Sequence, residues 1–356
     1  MRSRRYGFVY LSRTIICVTL ACLFLPGYAF SQEPFYKGKT ITLLQGRAPG
    51  GQGDLRVRAL LPFLQKYIPG NPNIVFDYMP GGGGRKAANY IFKGARPDGL
   101  TIANVGGGFV ANGILGLEGV LYDVDKLIYL GTPNSVVQYV FLTNAKLGLS
   151  SLEKLRAHSG LRLSAASVGH DQYIMGRIFA WFLDLKNTRF VTGYTGPEVY
   201  IAVESGEADG RAADTEAIIF HYPQWVEKGL MDFHAIHKVP KGENHPSFPK
   251  LPELETFARS PKEVNIIVLQ RNMELGGTAY LLPPGTAKER VAILREAMRK
   301  TFKDPAFLIK FKKDSGINPT PLAGEQQENY IKEIPRDRET IELFKKFAGA
   351  ETLPPR

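Results

Sequence analysis

The chain reads as an α/β protein of two lobes joined by two crossover strands, with a ligand cleft between them. Three observations predict this. Short apolar runs rich in β-branched residues recur at 40–44, 73–78 and 100–105, and each ends in glycines, the first two ahead of a helical pattern. The same arrangement returns from Leu161 onward, after a strand-like segment at 136–143 that reads as a crossover. A strand pattern then re-enters at 278–282, ahead of a run of helices.

The first strand, Thr40-Ile41-Thr42-Leu43-Leu44, is too brief for a helix and stops in turn chemistry, Ala48-Pro49-Gly50-Gly51-Gln52-Gly53. Asp54 stands before the apolar positions Leu55, Val57, Leu60, Leu61 and Leu64, where a helix N-cap belongs. A glycine-rich turn from a strand into a helix leaves backbone N–H groups in front of the positive end of the helix dipole, a seat for a carboxylate or phosphate. Arg47 adds a formal positive charge to that loop. The competing reading is a plain tight turn. Repetition weighs against it: Met79-Pro80-Gly81-Gly82-Gly83-Gly84 follows the second strand and Gly106-Gly107-Gly108 the third. The tips of parallel strands share one edge, where ligands bind.

Residues 85–92 have helical spacing, Pro97-Asp98-Gly99 turns into the third strand, and the glycines of 112–125 read as a loop over the cleft. Strands follow at 126–132 and 136–143, then a helix at 152–157 capped by Ser150 or Ser151. Strand 161–166 ends in Ser167-Val168-Gly169-His170-Asp171 before an apolar helix at 173–183. Strand 188–192, helix 198–204 ending at Gly206, and strand 208–211 leading to Asp214 complete the second pattern, and proline-rich 239–252 reads as a long surface loop. Pro283-Pro284-Gly285-Thr286 is expected to cap a helix at 288–302, with further helices at 305–313 and 324–347. The expected organisation is 32–136 with 278–356 as one lobe and 137–277 inserted as the other. Crossovers near Val137 and Thr278 would form the hinge, and the C-terminal helices would pack on the first lobe.

With 356 residues, 44% hydrophobic and 22% charged, the composition is that of a globular protein with room for two cores. Arg2, Arg4, Arg5 and Arg13 precede an apolar run at 14–25 and small residues at cleavage spacing, so 1–31 is expected to be a cleaved secretory signal, too short for a membrane span, and the protein periplasmic. Without those arginines the formal charge falls from +11 to +7, suited to anionic ligands. The basic runs are too short for a nucleic-acid footprint. Both cysteines, Cys17 and Cys22, fall inside the signal, which excludes a disulfide scaffold or thiolate metal site in the mature chain.

An enzyme reading rests on Gly106-Gly107-Gly108-Phe109-Val110-Ala111, which fits G-x-G-x-x-A after a strand, with Asp125 near the distance of a ribose-binding acid. The secretory signal and the glycine-rich segment that follows count against a secreted dinucleotide-dependent or other α/β enzyme. No G-x-S-x-G, H-E-x-x-H or P-loop is present. His234 and His237 fall in a strand pattern at a spacing that puts them on opposite faces, so no metal is expected, and no cofactor either.

Across 35–347 the chain resembles the periplasmic substrate-binding subunits of tripartite tricarboxylate transporters, the TctC or Bug family. The resemblance lies in Phe35-Tyr36-Lys37-Gly38-Lys39-Thr40-Ile41, Ala48-Pro49-Gly50-Gly51 with Asp54, Met79-Pro80-Gly81, Pro97-Asp98-Gly99 and Tyr122-Asp123. Gly193-Tyr194-Thr195-Gly196, Glu204-Ser205-Gly206-Glu207-Ala208-Asp209-Gly210 and Leu282-Pro283-Pro284-Gly285-Thr286 with Arg290-Val291 follow in order. It implies a type 2 periplasmic-binding-protein fold that captures a mono-, di- or tricarboxylate without transforming it, acts as a monomer and delivers it to a membrane permease. It also implies ligand contacts at Gly46, Pro49, Gly50, Gly51 and Asp54 and, from the second lobe, at Ser167, Gly169, Tyr194 and Asp214; the shared strand-tip edge adds Gly81 and Gly106 as candidates. Arg47 and His170 depart from the family pattern. Arg47 is either a guanidinium for an anionic ligand or a surface arginine beside a turn; His170 either senses ligand charge or is a polar neighbour.

Overall fold

A strand followed by a helix rejoins its sheet in parallel, and the first third of the chain does this twice. The computed structural model describes residues 33–47, 49, 50, 52–106, 108–194 and 197–356, and every element below lies in the unit Tyr36–Arg356. The expected signal segment, like Ala48, Gly51, Gly107, Thr195 and Gly196, lies outside the described residues. Among the described residues no helix is long and apolar enough to cross a membrane.

The chain begins β1 (Thr40–Gln45), α1 (Gln52–Tyr67), β2 (Asn73–Tyr78), α2 (Arg85–Lys93), β3 (Thr101–Asn104), α3 (Gly108–Ile114) and β4 (Ile128–Thr132). It continues through β5 (Tyr139–Asn144), α4 (Leu152–Ala157), β6 (Arg162–Ser164), α5 (Asp171–Phe182), β7 (Arg189–Val191), α6 (Glu198–Ser205), β8 (Gly210–Asp214), α7 (Thr215–His221), α8 (Gln224–Glu227) and β9 (Met231–His237). Helix α9 (Pro261–Gly276) precedes β10 (Tyr280–Leu282), α10 (Lys288–Lys303), α11 (Pro305–Ser315), β11 (Leu322–Ala323), α12 (Gly324–Lys332) and α13 (Arg338–Ala348). One sheet has the order β11-β4-β10-β3-β1-β2 and the other β7-β6-β8-β5-β9. The chain therefore passes between sheets twice, from β4 to β5 and from β9 through α9 to β10.

Register aligns the strand tips. Gln45 pairs with both Tyr78 and Asn104, and Asn104 pairs with Tyr280 of antiparallel β10, so Tyr78, Gln45, Asn104 and Tyr280 form one row at the edge of the first sheet. In the second sheet Asp214 pairs with Tyr139, and Tyr139 with His237. Helices α10 and α11 pack on α1, where the Phe63 and Phe307 rings meet edge-on at 5.6 Å, and α12 lies on β4. Helix α5, buried on most of its surface, covers β8.

Several expectations are corrected. Helix α1 begins at Gln52, so Asp54 lies in its first turn rather than at its N-cap. Segment 112–125 is not all loop, because Phe109 and Val110 bury themselves in the core and wind 108–114 into α3; Gly113 is needed there, since a Cβ would lie 2.8 Å from Val124 Cγ1. Ala287, without a side-chain cap, is the N-cap of α10, while Thr286 Oγ1 donates to the Pro283 carbonyl at 2.9 Å. The helix expected over 324–347 is two helices, broken before Pro335, which disfavours helical geometry in the residue preceding it. The second of these, α13, packs on α5 and α9 rather than on the first sheet: Arg177 Nη2 donates to the Lys346 carbonyl at 3.1 Å, and Tyr173 Oη to that of Gly349 at 2.9 Å. Loop 239–252 is pinned by buried Val239, His245 and Phe248. Helix α9 has no counterpart in the sequence reading: it is buried on several faces and so lacks the single apolar stripe that marks a surface helix.

Candidate functional site

The loop from β1 into α1 is organised by one carboxylate. Asp54, 2% exposed, accepts hydrogen bonds from Gly50 N–H at 3.0 Å, Arg58 Nε at 2.9 Å, Tyr78 Oη at 2.9 Å and Gln45 Nε2 at 3.3 Å. Burial alone would raise its pKa; the Gly50 amide, Arg58 and Tyr78 outweigh that and hold it below the usual carboxylate range. Gly50 takes φ 83°, open to glycine, and this turns its N–H back onto Asp54. The Gly46 N–H is likewise engaged, donating to the Asn104 carbonyl at 2.8 Å. Pro49 and Gly50 are exposed.

Arg47 leaves the tip of β1 and donates from Nη1 to Asn104 Oδ1 at 3.0 Å, so the strand-tip row holds it at the edge. It runs over Gly53 and Gly106. A Cβ on Gly53 would sit 2.6 Å from Arg47 Cδ and one on Gly106 would sit 3.6 Å from its Nε, so these positions are the floor on which the guanidinium lies. Arg56, one turn into α1, has a buried Nε with no hydrogen-bond partner among the described residues. Burial, then the charge of Arg56, lowers the Arg47 pKa; burial also lowers that of Arg56, opposed by Asp214 and Tyr280. Tyr280, 1% exposed, feels both arginines, and burial pushes its phenol well up, so it stays protonated. Gly81, at φ 135°, opens the turn after β2, and its carbonyl accepts from Gly84 N at 3.2 Å.

On the second sheet, Asp214 caps α7, accepting from Glu216 N at 2.8 Å and Ala217 N at 3.3 Å. Burial raises its pKa against those bonds and against Arg56, its electrostatic neighbour from the first sheet's helix α1. Gly108, just past the tip of β3, and Asp171, at the start of α5, line one small cavity, so the two strand-tip edges approach one another there. At the start of α5, His170 is the N-cap, its Nδ1 accepting from Gln172 N at 3.3 Å; the Ser167 carbonyl accepts from His170 N at 3.2 Å, and Gly169 turns at φ 78°. All three are exposed. Asp171, next in the chain, is itself exposed, yet the protein packed around it raises its pKa by desolvation, with His170 opposing. Glu274, near the end of α9, is raised well above its ordinary value by burial and then by the charges of Asp171 and Asp214. Tyr139, 4% exposed, has its phenol raised well above its ordinary value by burial and then by the charges of Glu274, Asp171 and Asp214.

Arg211 of β8 is fully buried. Its guanidinium lies 4.1 Å from the Tyr200 ring centre, donates to Gln172 Oε1 and the Ala212 carbonyl, and leaves Nη1 without a partner among the described residues; burial pulls its pKa down to about 10. Tyr194 points elsewhere, its hydroxyl donating to Glu207 Oε1 at 2.7 Å, with its pKa pushed up to about 12 by burial and then by Glu207.

The structure thus brings Gly46, Arg47, Gly106 and Asp214 to facing edges. Asp54 stands behind the first loop as its organiser, and Gly51 lies outside the described residues. Sequence reasoning missed Arg56, Asp171, Glu274, Tyr139, Tyr280 and Arg211. Arg56 and Asp171 are within two residues of positions singled out, and helix spacing from Asp54 could have found Arg56. Glu274 and Tyr280 carry no local signal.

No family model and no curated protein matches the chain. Solved structures do. A TctC solute-binding protein from Polaromonas matches at TM-score 0.65 and 16% identity over 88% of this chain and 98% of that one. The periplasmic binding protein BugD matches at 0.56 and 18% over 88% and 98%. MatC from Rhodopseudomonas palustris, solved with bound malate, matches at 0.56 and 17% over 87% and 99%. At these identities what is shared is the fold: a mixed α/β, two-lobed architecture.

Proposed function

We propose that the chain is a periplasmic solute receptor that closes on a small organic carboxylate and passes it to the permease of a tripartite tricarboxylate-type transporter. The observation that carries this reading is the pair Arg47 and Arg56, held at the strand tips of one sheet and facing the edge of the other. A carboxylate there would take charge-assisted bonds from Arg47, from the free Nε of Arg56 and from the neutral Tyr280 hydroxyl. In this reading 32–136 with 278–356 is one lobe, 137–277 the other, and the two inter-sheet passages are the hinge. Ser167, Gly169 and His170 then rim the far side, with Gly51 and Gly81 beside the first loop. The malate held by MatC, which shares the fold, supports a carboxylate as cargo.

No turnover belongs to this reading. The test is a thermal-shift and calorimetric screen of mono-, di- and tricarboxylates on the protein lacking 1–31. A ligand at a hundredfold its Kd stabilises by about 2.7 kcal/mol. Arg47→Ala and Arg56→Ala are each expected to weaken binding at least tenfold, about 1.4 kcal/mol. Catalytic conversion of an acid, tight binding of a dinucleotide, or indifference to both substitutions would overturn it.

A further inference from the structure

Helix α5 borders a cavity of about 660 Å³ that is lined by Tyr173, Arg177, Trp181, Phe190, Leu353 and Pro354. It lies between α5, β7 and the segment that follows α13, and none of Arg47, Arg56, Asp214 or Tyr280 lines it. Its size is that of a small-molecule site. Volume alone makes no site, and the second observation is the charge of Arg177.

Arg177 is 2% exposed. Its Nη1 donates to Tyr173 Oη at 3.4 Å and its Nη2 to the carbonyls of Lys346 at 3.1 Å and Glu351 at 2.5 Å, while Nε has no partner among the described residues. Its Cζ lies 5.5 Å from the Tyr173 ring centre and 5.3 Å from that of Phe190. The other acids around the cavity are committed elsewhere: Asp184 pairs with Arg259 and, at 3.2 Å, with Arg356, and Glu263 pairs with Arg356 at 2.8 Å. Glu351 is exposed and offers Arg177 its backbone carbonyl. Arg177 thus makes no ion pair among the described residues. The Lys346 carbonyl belongs to the last turn of α13, and a helix end supplies only about half a negative charge. Roughly half of a buried positive charge is left without compensation, which is costly in the interior.

We infer that this cavity is a second binding site, separate from the cleft, for a monoanion with a flat apolar body, its anionic group toward Arg177 and its ring among Trp181, Phe190, Leu353 and Pro354. It goes beyond the receptor reading and does not depend on it. A neutral ring would cover the same apolar side chains and leave the Arg177 charge unanswered, whereas a bare inorganic anion would answer the charge and leave those side chains uncovered. A cation would be repelled by Arg177. One charge suffices, because Arg356, the other cation on the lining, is already paired with Asp184 and Glu263.

The test is calorimetric titration with 2-naphthoate and with 2-naphthylmethanol, its neutral counterpart, on protein carrying Arg47→Ala and Arg56→Ala, so that the cleft does not contribute. The acid is expected to bind tenfold or more tighter than the alcohol. Adding Thr352→Glu, which sets an acid on an exposed lining residue next to the Glu351 carbonyl that Arg177 holds, is expected to reduce that preference to threefold or less, and adding Arg177→Met to do the same. Arg177 also pins α13 to α5, so if Arg177→Met does not fold, Thr352→Glu decides alone. Equal binding of acid and alcohol, binding of neither, or a preference that survives either substitution in a folded protein overturns the inference. The receptor reading stands or falls separately, on the wild-type screen and the two cleft substitutions.

Discussion

Replacing Asp54 by alanine removes the acceptor of four hydrogen bonds at once. The Gly50 amide and the Tyr78 hydroxyl each contribute about 1.5 kcal/mol as charge-assisted bonds, and the longer Gln45 contact about 0.5. The Arg58 side chain is half exposed, so its ion pair adds only about 0.5 kcal/mol. The expected loss is therefore about 4 kcal/mol. For a unit of about 320 residues, an unfolding entropy near 2.1 cal/mol/K per residue converts this to a melting-temperature drop of about 6 °C. Differential scanning calorimetry at pH 7 reads it directly. Because its folded pKa lies below the unfolded value, Asp54 stabilises fully above about pH 4 and loses that contribution as pH falls through the folded value. The gap between wild type and Asp54→Ala should close under acid. Arg58→Ala serves as control and should cost under about 1 kcal/mol. A loss below about 1 kcal/mol for Asp54→Ala, or an equal loss for Arg58→Ala, would refute the idea that the carboxylate organises the loop.

Gly53→Ala drives a Cβ to within 2.6 Å of Arg47 Cδ, the flexible part of that side chain; it should displace the guanidinium and weaken carboxylate binding several-fold while moving the melting temperature little, which titration and calorimetry together resolve. Gly324→Ala meets backbone instead, 2.0 Å from the Tyr129 carbonyl oxygen, and should cost more than about 2 kcal/mol in urea unfolding. Glu274→Gln should raise the melting temperature of the ligand-free protein: its carboxyl is held protonated above its unfolded pKa by burial, Asp171 and Asp214, so the wild-type penalty is absent below about pH 4 and grows as pH rises. Asp304, lowered to about 2 by Tyr67 and then Lys66, behaves oppositely; Asp304→Asn should melt lower at pH 7, with the difference fading from about pH 4 downward on a pH series of thermal melts.

The first sheet was legible because its strands are short β-branched runs closed by glycines, a local pattern that survives whatever packs around it. The Arg47 loop was legible for the same reason. Helix α9 was not: Ile266, Ile267, Leu269, Met273 and Leu275 are buried together with Gln270, Arg271 and Asn272, so polar residues do not mark an outer face. The split before Pro335 follows from proline chemistry alone. Tyr194 sits inside a family-like motif, yet its hydroxyl is committed to Glu207, a partner that motif order cannot reveal.

Local chemistry alone determined that strands end in glycine-rich turns, that Arg47 stands at one of them, and that the chain alternates between two α/β patterns. Those are properties of neighbours along the chain. Only the tertiary structure decided that Asp54 faces inward as a loop organiser, and that the charge of Arg56 on α1 is felt by Asp214 at the edge of the other sheet. It also gathered Asp171 and Glu274, about a hundred positions apart, onto one small cavity. Charge recognition depends on distances through space, and two crossings between sheets set those distances without leaving any trace in sequence spacing.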